Sequence, residues 1–105
     1  MSRGGVEGLL TYMSEWTLYI DKCKDNSLYT GISSNPDKRL IEHNLGRGAQ
    51  WFRQHGQGQI VYTEKYQTYL EAHRRELQIK KWSRIKKDNL IKYGHPTKIN
   101  LNINT

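Results

Sequence analysis

Few residues in this sequence have a type and spacing that suit catalysis or ligand binding. Among them is Glu76, whose position is the one that rules of helix capping and helix amphipathicity explain least well. It shares a helical stripe with core-type side chains, because spacings of three and four residues return to the same helix face. The members of this stripe are Tyr69, Ala72, Glu76 and Ile79. A buried carboxylate needs a partner, which could be a metal ion, a catalytic proton or a neighbouring arginine. Spacing alone favours the structural ion pair, because Leu70 and Leu77 define a competing apolar stripe.

Two further pairs of residues could contribute to an anion-binding site. Arg39 and His43 are four residues apart on one face of a predicted helix, from which both could reach an anionic ligand. Tyr19 and Tyr29 share one face of a predicted hairpin. Taken alone, the first pair is more often an ordinary exposed helix face, and the tyrosines are more often sheet surface. We assign no metal ligand among the other histidines, His55, His73 and His95.

Basic residues are concentrated in one stretch of the chain. Between residues 74 and 92, eight of them are opposed only by Glu76 and Asp88, so +6 of the formal net charge of +7 lies here. The eight are Arg74, Arg75, Lys80, Lys81, Arg84, Lys86, Lys87 and Lys92. Most such runs are solvated helix faces, but the scarcity of interleaved acids favours contact with nucleic acid. The residues that we predict to contact nucleic acid are Lys24, Arg47, Arg53, Lys80, Lys81, Lys86 and Lys87.

Length and composition exclude several classes of protein. A chain of 105 residues provides one domain, and its positive charge favours polyanionic partners. The single cysteine, Cys23, can form neither an internal disulfide nor a Cys-rich zinc site. No apolar run reaches the ~20 residues of a membrane span, and the start lacks a signal-peptide pattern. We therefore expect a cytoplasmic, nucleoid-associated protein that does not contact a membrane.

The elements that must position the candidate residues begin with a hairpin. Apolar and polar residues alternate from Trp16, which predicts a half-buried strand, and they alternate again from Leu28 to Ile32 after a turn. The two strands place Tyr19 and Tyr29 on the face opposite the apolar residues.

A helix is predicted to follow the hairpin. Asn35 and Pro36 are a typical helix opening, and the helix is predicted to end near Leu45. The helical period leaves Arg39 and His43 together on a face different from the buried one. The predicted buried stripe comprises Leu40, Ile41 and Leu45.

The glycine-rich segment 46–58 is predicted to be a loop with one helical turn at Ala49–Arg53. Within it, Trp51 and Phe52 could stack on unpaired bases, although a hydrophobic plug under the loop is the favoured interpretation. A third strand is predicted over Gln59–Thr63.

Two helices are predicted in the second half of the chain. Thr68 and Glu71 form a capping box that begins a helix extending to about Trp82. Ser83 begins a second helix, which ends near Tyr93.

The two ends of the chain are predicted to lie outside the domain. Residues 1–13 form an extension, residues 14–94 the domain, and residues 95–105 a tail. Within the tail, residues 97–105 alternate weakly, as a strand would.

Taken in order, these signals coincide with one known pattern. The segment from Trp16 to Tyr93 resembles the GIY-YIG endonuclease family, and most closely its small stand-alone bacterial members. The matching motifs are Thr17-Leu18-Tyr19, Tyr29-Thr30-Gly31, Arg39 and His43 within PDKRLIEHN, and Glu76 within EAHRRELQIKKWSRIKKDNLI. The first motif keeps only its tyrosine, and Thr30 replaces the middle isoleucine of the second.

The resemblance implies an α+β fold, in which a small three-stranded antiparallel sheet is flanked by helices in the order β-β-α-β-α-α. It also implies hydrolysis of phosphodiester bonds with one divalent cation, Mg²⁺ or Mn²⁺, bound by Glu76. Tyr19 would position or deprotonate the attacking water, which requires a phenol pKa well below ~10 or a proton relay such as His43. Tyr29 would hydrogen-bond the phosphate, while Arg39 would offset charge that accumulates on the phosphorus centre.

The resemblance leaves the substrate and the partners open. We expect a metal-dependent endonuclease that acts on DNA in preference to RNA, with low sequence specificity because phosphate contacts do not identify bases. One alternative is a catalytically inactive nucleic-acid-binding module. Another is a basic scaffold that docks on an acidic protein surface. A homodimer, or a protein partner in a DNA-repair or mobile-element assembly, is compatible with a basic chain of this size.

Overall fold

A computed structural model describes residues 15–97 as three strands and four helices. The elements are β1 (Trp16–Cys23), β2 (Leu28–Ser33), α1 (Pro36–Asn44), α2 (Trp51–His55), β3 (Gly58–Tyr66), α3 (Tyr69–Lys80) and α4 (Arg84–Tyr93). The strands form one antiparallel sheet in the order β2-β1-β3, which confirms the predicted α+β class. The predicted extension at residues 1–13, and all but the first residue of the weak strand at 97–105, lie outside the described residues.

The first hairpin has the predicted position and turn. The Asp25 carboxylate accepts a hydrogen bond from the Ser27 backbone N–H at 3.0 Å, and Asn26 adopts a left-handed φ of 74°. Asn and Asp tolerate such turn geometry better than other non-glycine residues. The resulting register places Tyr19 opposite Gly31 and therefore fixes which residues of the two strands can touch.

The expectation that β1 is half-buried was wrong, because the strand is buried on both faces. Leu18 and Ile20 are fully buried on one face, where they pack with Ile79 of α3 and Leu90 of α4 in the apolar core. On the other face, Tyr19 is only 2% exposed. A central strand has two neighbours in the sheet and a covering layer on each face, so alternation of residue type does not imply alternation of burial.

Helix α1 has the predicted bounds but not the predicted orientation. The Asn35 side chain caps it by accepting a hydrogen bond from the Lys38 N–H at 3.1 Å. Ile41 and Leu45 of the predicted buried stripe are 59% and 61% exposed, whereas His43 is buried.

Hydrogen bonds to β3 account for the orientation of α1. The Asn44 side chain donates to the Gly58 carbonyl at 3.1 Å and accepts from the Gly58 N–H at 2.8 Å. This paired contact fixes the rotation of the helix about its axis. Helical periodicity could not reveal it, because Gly58 is 14 residues further along the chain.

Helices α3 and α4 follow the sequence prediction closely. Thr68 and Ser83 cap them through side-chain oxygens that accept from backbone N–H groups at 3.2 and 3.3 Å, and Gly94 ends α4 in a left-handed conformation. Leu70 and Leu77 are about half exposed, so the competing apolar stripe of α3 faces solvent. Among the described residues, no helix is long and apolar enough to cross a membrane.

Candidate active site

The centre of the candidate site is a contact between Tyr19 of β1 and His43 of α1, both buried. The Tyr19 Oη lies 3.3 Å from the His43 Nε2, and the His43 Nδ1 accepts a hydrogen bond from the Ala49 N–H at 3.0 Å. A neutral imidazole carries one hydrogen, so a ring that accepts at Nδ1 carries it on Nε2 and donates to the Tyr19 oxygen. This arrangement leaves the Tyr19 hydroxyl hydrogen free to point towards a substrate.

Two glycines make this contact possible. A Cβ on Gly31 would lie 2.6 Å from the Tyr19 hydroxyl oxygen, and a Cβ on Gly48 would overlap the His43 ring. Neither position can carry a larger residue without moving a side chain of the site. The glycine of the Tyr29-Thr30-Gly31 motif therefore provides space for the Tyr19 ring in the neighbouring strand.

Aromatic rings form the floor beneath the two tyrosines. His43 stacks on Phe52 with centroids 4.4 Å apart, and Tyr29 packs against Phe52 at 5.0 Å and against His43 at 5.4 Å. Phe52 is 5% exposed and is therefore the hydrophobic plug that the sequence favoured. The short helix α2 that carries it extends over Trp51–His55, two residues later than the predicted turn.

The pKa values of Tyr19 and Tyr29 respond to burial and to the charges of other candidate residues. Burial raises the pKa of Tyr19 well above its usual value, and the charges of Arg39 and Glu76 also influence it. Burial likewise raises the pKa of Tyr29, and the same two charges act on it. The pKa of His43 is lowered by burial and then by Arg39. At neutral pH the two phenols therefore remain protonated and the imidazole neutral.

Glu76 lies between the buried Ala72 and Ile79 of the predicted stripe, and its side chain is 12% exposed. The fourth member of that stripe, Tyr69, is 50% exposed, so the prediction that it belongs to the core was wrong.

One oxygen of the Glu76 carboxylate lies 3.1 Å from the His73 Nδ1 and the other lies 3.0 Å from the Lys80 Nζ. The ion pair expected from spacing is thus formed with a lysine of the same helix. The arginine next to Glu76, Arg75, instead pairs with Glu64 of β3.

His73 is a contact of the candidate site that the sequence analysis did not identify. Its ring stacks on Tyr69 with centroids 5.6 Å apart, and Tyr69 packs edge-on against Trp16 at 5.2 Å. The rings therefore hold the imidazole beside Glu76. The sequence signal for this contact is the spacing of three residues between His73 and Glu76, because residues so spaced are neighbours on a helix surface.

A sequence model of the GIY-YIG catalytic domain matches residues 15–89, which contain every catalytic candidate described above. The chain belongs to the GIY-YIG family. The matched domain is a nuclease domain, so the chain belongs to a nuclease family.

Relatives of the GIY-YIG chain are small proteins of similar extent. It is 46% identical over 82 residues to a UPF0213 protein of Staphylococcus saprophyticus, which covers 78% of this chain and 100% of that relative. It is 43% identical over 79 residues to a UPF0213 protein of Staphylococcus haemolyticus, with 75% and 96% covered. A solution NMR structure of a protein from E. faecalis is 33% identical, has a TM-score of 0.54, and matches 82% of this chain and 92% of that one. The chain thus groups with the UPF0213 proteins.

One buried carboxyl of the GIY-YIG domain was not singled out from the sequence. Asp21 is fully buried on the Tyr19 face of β1, and among the described residues neither of its oxygens has a hydrogen-bond partner. Burial raises its pKa to about 7. The alternation of residue types on β1 places Asp21 beside Tyr19, but whether a strand residue is covered depends on the layer above it.

The residues predicted to contact nucleic acid occupy different surroundings. Lys80 and Lys87 line one cavity together with Tyr29 and Trp51. Lys24 lines a second cavity, together with Lys22 and Asn44. The Arg53 side chain donates to the Gly46 carbonyl at 3.1 Å and so braces the glycine-rich loop. The remaining three, Arg47, Lys81 and Lys86, are exposed.

Arg39 lies at the exposed edge of the site. Its guanidinium lies 3.1 Å from the Glu42 carboxylate, and 45% of its side-chain surface is accessible. An exposed pair of this kind contributes little stability. The guanidinium can therefore leave Glu42 for a phosphate group at small cost.

Glu76 is the residue of the GIY-YIG domain best suited to hold a metal ion. Among residues 15–97 there is no group of three or more His, Cys, Asp or Glu side chains that could surround one. A single carboxylate still fits Mg²⁺, which keeps several water ligands and takes others from substrate phosphates. Asp21 does not fit, because it is fully buried.

Proposed function

We propose that this GIY-YIG protein is a divalent-metal-dependent endonuclease that hydrolyses phosphodiester bonds of DNA with little sequence specificity. The observation that carries the proposal is the charge around one buried and one half-buried phenol, because a guanidinium and a carboxylate both influence the pKa of each. These are Tyr19, Tyr29, Arg39 and Glu76. Hydrogen-bond donors together with an anionic metal ligand suit attack on a phosphate group.

In this proposal Glu76 would hold Mg²⁺ or Mn²⁺, which when bound supplies charge stabilisation and a more acidic water. His73 and Lys80 keep the carboxylate oriented through its two oxygens. The Lys80 contact is a partly exposed pair on one helix, so it can yield to a stronger cation.

Tyr19 acts in the proposed mechanism as a protonated phenol that orients the attacking water. Its raised pKa opposes deprotonation, so the protein favours positioning over direct proton abstraction by the phenol. The His43 Nε2–H donates to the Tyr19 oxygen and holds the ring in place. His43 does not serve as the base in this tautomer, because its Nδ1 already accepts from Ala49.

Tyr29 and Arg39 are proposed to hold the phosphate. The Tyr29 hydroxyl donates one hydrogen bond, and the Arg39 fork donates two to the non-bridging oxygens. Arg39 offsets charge that grows as the reaction proceeds, so its removal reduces the rate more than the affinity.

The first turn of α4 supports contact with a polyanion. It carries Arg84, Lys86 and Lys87 and no acidic residue, although the positive end of the helix dipole disfavours cations there. An ion pair with Asp88 at 2.9 Å accounts for Arg84, but helix stability does not account for Lys86 and Lys87. Contact with a phosphate backbone does, and such contacts position a strand without reading its sequence.

The decisive experiment is cleavage of labelled DNA and RNA substrates with Mg²⁺ or Mn²⁺, with an EDTA control. Glu76→Gln is expected to lower the cleavage rate by at least about 10²-fold, as the loss of a group that stabilises transition-state charge does. Glu71→Gln is the matched control on the same helix, because glutamine also serves in a capping box.

Substrates that bind but are never cut, with either metal, would favour the inactive binding module over the nuclease. A steep loss of nucleic-acid affinity as the salt concentration rises would distinguish this binding module from a scaffold that docks on acidic proteins. Cleavage of RNA in preference to DNA would overturn the substrate part of the proposal alone.

A further inference from the structure

A cavity of about 380 Å³ lies between edge strand β2, helix α2, the end of α3 and the beginning of α4. We call it the lysine cavity. It is lined by Leu28, Tyr29, Thr30, Trp51, Lys80 and Lys87. Its volume falls within the range of about 300–1,000 Å³ that is usual for small-molecule sites.

The charges that line the lysine cavity are all positive. Lys80 and Lys87 are its two ionisable cations, and no carboxylate is among its lining residues. Lys80 pairs with Glu76 at the rim, whereas no carboxylate of the described residues lies within ion-pair distance of the half-buried Lys87. A partly desolvated ammonium without a counter-ion raises the free energy of the protein. An anion bound in the cavity would relieve this cost.

The aromatic wall of the cavity is held in place before any ligand binds. Trp51 stacks on His55 with centroids 4.0 Å apart and faces Tyr29 at 6.1 Å. A fixed indole face beside two ammonium groups suits a sugar or base that is attached to a phosphate.

The cavity shares two residues with the candidate active site. Tyr29 belongs to both, and Lys80 connects the cavity to Glu76 through an ion pair of 3.0 Å. An anion between Lys80 and Lys87 would therefore lie next to the phosphate that is cleaved.

We propose that the lysine cavity is a second phosphate subsite, an inference that rests on the function proposed above. The subsite binds the phosphate group of the nucleic acid that is adjacent to the cleaved one. The nucleoside attached to this phosphate lies against Trp51. The group is either the terminal monoester of a strand or an internal diester. Lys87 is the specific determinant of this subsite, because it has no other partner among the described residues, whereas Lys80 also orients Glu76.

The test is binding of inorganic phosphate and of thymidine 5′-monophosphate, in EDTA and at constant ionic strength, followed by NMR at the indole N–H signals. Trp51→Phe assigns the Trp51 signal, which is expected to shift saturably. Lys87→Gln is expected to weaken binding by about tenfold or more, as the loss of a charge-assisted hydrogen bond does. Lys92→Gln is the matched control, because it removes the same charge from the same helix outside the cavity.

An unshifted Trp51 signal at saturating phosphate, or an equal loss of affinity in Lys92→Gln, would overturn the subsite. Oligonucleotides with and without a 5′-phosphate then identify the source. If the 5′-phosphate raises the affinity and this gain requires Lys87, the bound group is the terminal monoester. If the affinity is the same with and without the 5′-phosphate, the bound group is the internal diester.

Because the binding assay contains no divalent metal, it is independent of cleavage. Phosphate binding without cleavage would reject the proposed nuclease and keep the subsite as an anion site. Cleavage without phosphate binding in the cavity would reject the subsite alone.

Discussion

The two faces of β1 are both buried, but they are filled by different chemistry. Leu18 and Ile20 point into an apolar core that α3 and α4 close. Tyr19 and Asp21, their neighbours in sequence, point into a layer of phenol, imidazole and aromatic groups under α1 and α2. Consecutive residues of one strand thus contribute alternately to stability and to the candidate site.

The two faces differ in whether the polar groups that they bury have hydrogen-bond partners. On the core face, β1 buries only apolar side chains, whose removal from water stabilises the fold. Two tyrosines of β3 pack against this core, and both of their hydroxyls donate to the Glu64 carboxylate. The Tyr19 face instead buries a carboxyl that has no hydrogen-bond partner among residues 15–97. Buried polar groups that lack partners reduce stability, and they tend to occur at functional sites. One face of β1 thus serves stability, and the other carries residues of the candidate site.

The sharpest test substitutes adjacent residues on opposite faces. Tyr19→Phe is expected to lower cleavage by about 10²-fold, because it removes the hydroxyl that we propose orients the attacking water. Its stability cost is about 1–3 kcal/mol, for the hydrogen bond that the His43 Nε2–H loses. Leu18→Ala is expected to lower the free energy of unfolding by about 2–5 kcal/mol, because it leaves a cavity in the core.

Urea denaturation and cleavage rates, measured on the same preparations, check this pair of variants. The folded fraction of Leu18→Ala is expected to cleave at nearly the wild-type rate. If Leu18→Ala and Tyr19→Phe lose specific activity equally, the division between the two faces is wrong.

A smaller effect is expected from the pH dependence of stability. The pKa of Asp21 rises from its usual value near 3.8 to about 7 in the folded protein, so the folded state holds a proton that the unfolded state has lost. Stability therefore falls as the pH rises from about 4 to about 7, by a total on the order of 2–4 kcal/mol.

Asp21→Asn is expected to flatten this decline, because an amide does not ionise. The measurement is the free energy of unfolding at several pH values between about 4 and 8. A decline of the same slope in the variant would show that another group causes it. The slope is informative even if the amide itself changes the absolute stability.

The smallest effect is expected on the outer side of α1. Ile41 is 59% exposed, so Ile41→Gln is expected to change the free energy of unfolding by less than about 0.5 kcal/mol. Thermal denaturation of the variant and of wild type checks this value. A loss of about 2 kcal/mol or more would mean that Ile41 is buried, as the helical period had predicted.

Most elements of the fold could be predicted because their signals are local. The caps Asn35, Thr68 and Ser83 begin helices at the expected positions, since a side-chain oxygen acts on backbone groups only a few residues away. The hairpin turn, and the helix face that carries Glu76, could likewise be predicted from residues that are close together in the chain. The motifs that carried the family resemblance are also short-range patterns, and the family match confirms the resemblance.

The rotation of α1 and the burial of Asp21 could not be predicted, because both depend on residues distant in the chain. Asn44 locks α1 to Gly58, and this contact turns His43 inward in place of Ile41. His43 then meets Tyr19, which is 24 residues away.

The sequence by itself determined the strands, the helices, the positive charge and the order of tyrosine, arginine, histidine and glutamate. These features depend on residue type and on spacings within a turn or a strand, which the chain encodes directly. Only the tertiary structure decided which residues are buried, that the pKa values of the two phenols are raised and not lowered, and that Lys80 and Lys87 share a cavity. Burial and electrostatic surroundings are properties of the packed layers, because each side chain is desolvated and polarised by groups from other elements.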